Sequence, residues 1–215
     1  MNWVNYLRWC SLCACVAILT TLSGCHSAPI RHSPLACELR NRPASNLDDV
    51  HVIFVESLFD FARLGRLEEV CCEMRRIGFH NAEYFVPFRD GTGCELAEYV
   101  RDIHDENPNS RIMLVGWSFG SIFVKDAMKR LDAECDYIDT VVNIDSASLK
   151  LCEWTGHPEN YDRAVLIYRS NQSPPCCCFV DPEILCVSSW LHLSVPHDKC
   201  TVDQLIAEAI RLADN

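Results

Sequence analysis

The chain has 215 residues, 49% of them hydrophobic and 23% charged, and carries a formal net charge of -11. That length supports one domain with a sizeable core and is short for two. The acidic balance argues against nucleic acid or an anionic membrane surface as the main partner, because both need a basic face.

Residues 1–24 are expected to be an export signal rather than part of the fold. A start carrying only Arg8 is followed by an uncharged, mostly apolar run from Cys10 to Gly24, shaped like a secretory h-region and short for a membrane span. Leu22-Ser23-Gly24-Cys25 closes it and resembles the lipobox of bacterial lipoproteins. That resemblance implies cleavage before Cys25, lipidation of Cys25, and a protein held at a bacterial envelope membrane. Residues 25–49, with Pro29, Pro34 and Pro43 among polar residues, read as a flexible tether between lipid and domain.

The chain holds 15 cysteines, and eleven remain once Cys10, Cys13, Cys15 and Cys25 are set aside. An exported protein may form disulfides, but an odd count leaves at least one thiol unpaired in the monomer. The triplet Cys176-Cys177-Cys178 raises metal binding. Past Cys25, however, no Cys-x-x-Cys pair occurs, and adjacent cysteines converge poorly on a tetrahedral zinc. No metal and no organic cofactor is expected.

The domain, residues 50–215, opens with the β-branched and aromatic run His51–Val55, which reads as a buried parallel strand. Leu67, Val70, Cys71, Met74 and Ile77 then recur at helical spacing, with Gly78 as the stop. Ala82–Val86 is the second strand. Thr92-Gly93-Cys94-Glu95 is a capping box for a helix running to Asn107. A strand over 112–115 passes through Gly116-Trp117-Ser118-Phe119-Gly120 into a helix over 119–131. Three further strands are read at 140–144, 164–168 and 185–187, and a second capping box at Thr201–Gln204 opens the last helix. The alternation predicts an α/β fold, a mostly parallel doubly wound sheet of about six strands with helices on both faces. Ligands of such sheets bind at the carboxyl ends of the strands.

Gly-x-Ser-x-Gly between a strand and a helix predicts a sharp turn with Ser118 at its tip. A serine hydroxyl becomes a nucleophile only when a base takes its proton, and the base needs a group to hold its tautomer. His192 and His197 both fall after the last strand and before the last helix. At this point the arrangement resembles the α/β-hydrolase superfamily over Val50 to Leu212, in the order strand, Gly-x-Ser-x-Gly, acid, histidine. Leu191–Pro196 is similar to the family's histidine loop, which favours His192, with His197 as the alternative. Many members carry the acid after the strand that corresponds to 164–168. This chain has Arg169-Ser170-Asn171-Gln172-Ser173 there, with no carboxylate. Asn143–Ala147 resembles the Leu-Asp-Pro element of lipases whose acid follows the preceding strand, which makes Asp145 the acid and Asp181 the reserve. Asp132, Asp136 and Asp139 read as a solvated helix end and loop.

The resemblance implies an oxyanion hole from the amides of Phe119 and Leu58. The family marks the second position with His-Gly, whereas this chain reads Glu56-Ser57-Leu58, without the glycine and with a carboxyl beside the developing charge. Two functions follow as expectations. One is a serine hydrolase acting on a small carboxylic ester or thioester through Ser118, Asp145 and His192. The other is a hydrolase-fold lipoprotein that keeps the fold but acts as a binding or envelope interaction protein.

Overall fold

The computed structural model describes residues 33–39, 47–58, 60, 63–134, 136–150, 158–174 and 179–215. The expected export signal over residues 1–24, Cys25, His157 and Cys176–Cys178 lie outside them. Six strands form one sheet: β1 (Val50–Val55), β2 (Ala82–Phe85), β3 (Arg111–Trp117), β4 (Ile138–Ile144), β5 (Tyr161–Arg169) and β6 (Glu183–Val187). Their order is β2-β1-β3-β4-β5-β6, and every pair is parallel. All strand carboxyl ends therefore lie along one rim, and that rim is where the loops carrying Glu56, Ser118, Asp145 and Arg169 leave the sheet.

The central strands hold because both sides of each are apolar, as buried parallel strands require. Successive residues of β1 and β3 alternate between two clusters. Val52, Phe54, Met113 and Val115 fall with α2 (Leu67–Arg76) and α5 (Lys199–Ala213). Ile53, Val55, Ile112 and Leu114 fall with α3 (Gly93–Glu106) and α4 (Gly120–Asp132). β6 is different: most of its residues are exposed, as an edge strand with one neighbour permits. Its short, half-polar run explains why only Leu185–Val187 stands out in the sequence.

The Thr92 capping box forms: the Thr92 side chain accepts from Cys94 N at 3.3 Å, and Glu95 takes Thr92 N at 2.7 Å. The second box does not. Helix α5 begins two residues ahead of Thr201, capped by Asp198, whose carboxylate accepts from Cys200 N at 2.9 Å. Thr201 is instead fully buried inside the helix. Asp is as good a cap as Thr, and the earlier start adds hydrogen-bonded residues before the apolar face begins. The tether expected over 25–49 also differs in part. Pro34–Leu39 forms a short helix, α1, that packs on α5 with Ala36 and Leu39 buried in the first cluster.

Asp139 is a further correction. It is buried rather than solvated, and takes the Ile112 amide at 2.7 Å and Arg111 Nη1 at 3.2 Å, tying the start of β4 to the start of β3.

Candidate functional site

Strand β3 ends at Trp117, and the chain reverses through Ser118 and Phe119 into α4. Ser118 is half-buried and has φ 52°, in the left-handed region. A non-glycine residue costs on the order of 1–3 kcal/mol there and persists only where its surroundings hold it. They do. Ser118 N donates to the Ile144 carbonyl at 2.9 Å, and the two flanking glycines allow contacts no side chain would. A Cβ on Gly116 would lie 2.7 Å from Ser121 Cα, and one on Gly120 would lie 2.3 Å from the Val55 carbonyl oxygen. The motif is thus a packing requirement: α4 is drawn against the ends of β3 and β1 at once.

Asp145, the first residue past β4, also lies in the left-handed region, with φ 45°, and is 1% exposed. Its Oδ2 stands 2.7 Å from His192 Nδ1 and 2.6 Å from Arg169 Nε. A buried carboxylate needs such partners, since desolvating it alone costs several kcal/mol. With Nδ1 on a carboxylate oxygen, which can only accept when ionised, the ring N–H sits on Nδ1 and Nε2 is left as the basic nitrogen. His192 opens a short 3-10 turn, His192–Ser194, after β6. Its ring stacks on the fully buried Trp117, with centroids 5.3 Å apart and planes 29° apart. Trp117 immediately precedes Ser118, so the histidine is held at the strand end that presents the serine.

The floor of this corner is a buried hydroxyl network. Ser121 Oγ donates to the Gly116 carbonyl at 3.0 Å and shares a short hydrogen bond with Ser146 Oγ. Tyr168 OH donates to the Ser146 carbonyl at 3.0 Å. The ends of β3, β4 and β5 are therefore tied beneath Ser118 and Asp145. Sequence reading missed Ser121, Ser146, Trp117 and Arg169. The available signal was position: each is within three residues of Ser118 or Asp145, or ends a neighbouring strand.

The two alternative residues are elsewhere. His197 Nδ1 donates to the Gly65 carbonyl at 3.3 Å, and burial lowers its proton affinity below that of an ordinary histidine. It pins the loop before α5 to the loop before α2, where Asp60 takes the amides of Leu64 and Gly65, each at 2.7 Å. Asp181 is exposed and precedes β6, at the opposite rim from the histidine that follows that strand.

The loop after β1 is arranged unlike its neighbour. Glu56 is 3% exposed, its Oε1 accepts the Ser57 amide at 2.7 Å, and its Oε2 accepts from Tyr84 OH in a short bond. Burial pushes the Glu56 carboxyl up to about 7 in spite of these two donors. One amide of the turn is thereby used internally, and Leu58 follows it, half-buried in the turn.

Aromatic surface lies beside the serine. Phe119 stands 6.4 Å from Phe123, which meets the exposed Phe88 edge-on at 5.5 Å. Trp190 and Leu191, just before His192, are also exposed. A separate cavity of about 270 Å³ lies at β2, lined by residues including Glu83, Tyr84, Asp90 and Tyr99, and holds neither Ser118 nor His192. Among the described residues, no three His, Cys, Asp or Glu side chains gather as a metal site, and Cys71, Cys72, Cys94, Cys186 and Cys200 are free thiols. Set against models of known protein families the chain matches none, and no curated protein matches it in sequence.

Proposed function

We propose that this protein is a serine hydrolase of the α/β-hydrolase type that cleaves carboxylic ester or thioester bonds through an acyl-enzyme. The observation that carries the reading is the contact of 2.7 Å between the buried Asp145 and the half-buried His192, with the same imidazole stacked on the residue before Ser118. In this reading Ser118 Oγ attacks the acyl carbon while His192 Nε2 takes its proton. The proton then passes to the departing alkoxide or thiolate as the acyl-enzyme forms. Water attacks the acyl-enzyme with the same histidine as base, and Ser118 recovers its proton as the acid product leaves. Asp145 holds the tautomer and offsets the charge that His192 gains. The amides of Phe119 and Leu58 face the oxyanion. The exposed Phe88 and the half-buried Phe119, both resting on the buried Phe123, favour an apolar acyl group.

The test is covalent labelling by a fluorophosphonate probe together with hydrolysis of p-nitrophenyl esters of graded chain length. Wild type is expected to be labelled and Ser118→Ala to lose both labelling and turnover; labelling that survives the substitution removes Ser118 as nucleophile. No organic cofactor or metal enters this chemistry.

The Leu22–Cys25 motif supports, in this proposal, anchoring at the periplasmic or extracytoplasmic face of a bacterial membrane through a lipid on Cys25. Fractionation tests it: Cys25→Ala is expected in the soluble fraction, and a variant still in the membrane pellet refutes the anchor.

A second reading has its own supporting observation. Because Glu56 occupies the Ser57 amide, the loop after β1 is suited to holding itself closed rather than to receiving an oxyanion. On that reading the protein is a hydrolase-fold binding protein, and wild type would show no labelling.

A further inference from the structure

The carboxyl end of β5, where many members of the family that the chain resembles carry the acid, holds an arginine that reaches Asp145 at the end of the neighbouring strand. Arg169 is the last residue of β5 and pairs in register with Val187 at the end of β6. From Val187 the chain runs through Trp190 to His192. The Arg169 guanidinium is mostly buried, with its side chain 17% exposed, and it spans both parts of the site. Nε donates to Asp145 Oδ2 at 2.6 Å, and Nη1 donates to the Trp190 carbonyl at 3.4 Å, two residues before the histidine. Asp145 Oδ2 is also the oxygen that meets His192 Nδ1 at 2.7 Å, while Oδ1 has no hydrogen-bond partner among the described residues.

We propose that Arg169 is a positioning residue, which holds the Asp145 carboxylate and the His192 loop in the geometry that reaction at Ser118 requires; this rests on the hydrolase reading above. Both donors to the carboxylate converge on one oxygen, so no hydrogen bond on the Oδ1 side restrains its rotation. With Arg169 gone, the imidazole alone would hold the group, and the buried negative charge would lose its cation. The contact to the Trp190 carbonyl ties the chain leading to His192 to the same planar group. The fork is the reason for arginine here. A lysine brings a point charge but cannot direct rigid donors at both the carboxylate and the carbonyl.

The experiment compares full-length wild type, Arg169→Gln and Arg169→Lys. The readouts are kcat and KM on a p-nitrophenyl ester, and the hydrogen-bonded Nδ1 proton of His192 by NMR. Arg169→Gln is expected to lower kcat roughly 10- to 100-fold, the scale of a small misplacement of catalytic groups, and to broaden or lose the His192 proton signal. KM should stay within about twofold, because the arginine does not touch substrate. Arg169→Lys should fall between. A purely structural ion pair would lower the melting temperature while leaving kcat and the proton signal of the folded variant unchanged, and that outcome overturns the proposal. Should Arg169→Gln fail to fold, Arg169→Lys with wild-type kcat overturns it equally. Failure of the underlying reading looks different: wild type itself would then show no Ser118-dependent labelling, and the proposal falls with it.

Discussion

Two turns leave neighbouring strands at the same rim of the sheet, and they are built on opposite principles. The turn after β3 is short, bounded by glycines, and strained at Ser118. Its contacts reach outward, to β4, β1 and the buried serines. The turn after β1 satisfies itself, since Glu56 folds back on the Ser57 amide and on Tyr84. The first turn stores strain to present a side chain. The second buries a carboxyl at a cost and spends an amide donor to do so. Gly120 is where they meet, with no room for a Cβ between α4 and the Val55 and Glu56 carbonyl oxygens. A strained strand-to-helix turn is thus well formed beside a loop that satisfies its own polar groups.

The largest effect should come from breaking the first region. Asp145→Asn keeps the size of the group but cannot hold the same tautomer of His192, and is expected to lower kcat about 10³- to 10⁴-fold. Esterase kinetics on the folded variant check it. A rate near wild type would reduce Asp145 to the ion partner of Arg169 and bring the two turns closer in kind.

A smaller effect sharpens the second region. Glu56 titrates at about 7 in the fold, raised by burial from an ordinary value of 4.5. The folded state thus retains a proton that the unfolded chain releases at lower pH. The stability this proton supports is fully present below about 4.5 and is lost as pH rises through about 7. Glu56→Gln keeps an acceptor oxygen for Ser57 N, can donate its amide N–H to the Tyr84 hydroxyl oxygen in place of accepting from it, and cannot ionise. Relative to wild type it should gain stability between those two pH values and level off above them, by on the order of 3 kcal/mol. Urea unfolding at pH values from 4.5 to 8 measures the gap. A gap that does not grow with pH would mean that Glu56 is not a costly buried charge and that the second turn is less self-contained than its contacts suggest.

Several parts of the molecule were legible from local pattern alone. Apolar runs such as Val52–Val55 and Ile112–Val115 specify buried parallel strands because no polar face is left for solvent. The Thr92 box is local chemistry, and the Gly116–Gly120 turn is legible from its own residues although β4 and β1 hold its strained conformation. Where two good caps competed, pattern was not enough. Asp198 starts α5 in place of Thr201 because Thr201 is drawn into the core beside Val202 as the helix packs, and that depends on the sheet beneath it. Pro34–Leu39 is a similar case, since so short a segment is helical only because α5 offers Ala36 and Leu39 a surface.

By itself the sequence determined the α/β alternation, the serine at the strand-to-helix turn, and the candidates Asp145 and His192, because each rests on residues close together in the chain. Only the tertiary structure decided how distant residues meet. It brought Asp145 to His192 rather than to His197, and it gave Arg169 to the acid. It also buried Asp139 under β3 and turned Glu56 inward onto Tyr84. The physical reason is common to all of these. A charged side chain far from its partner in sequence carries no local preference for that partner. Its place is settled when the strands align and burial makes an unpaired charge too costly to leave alone.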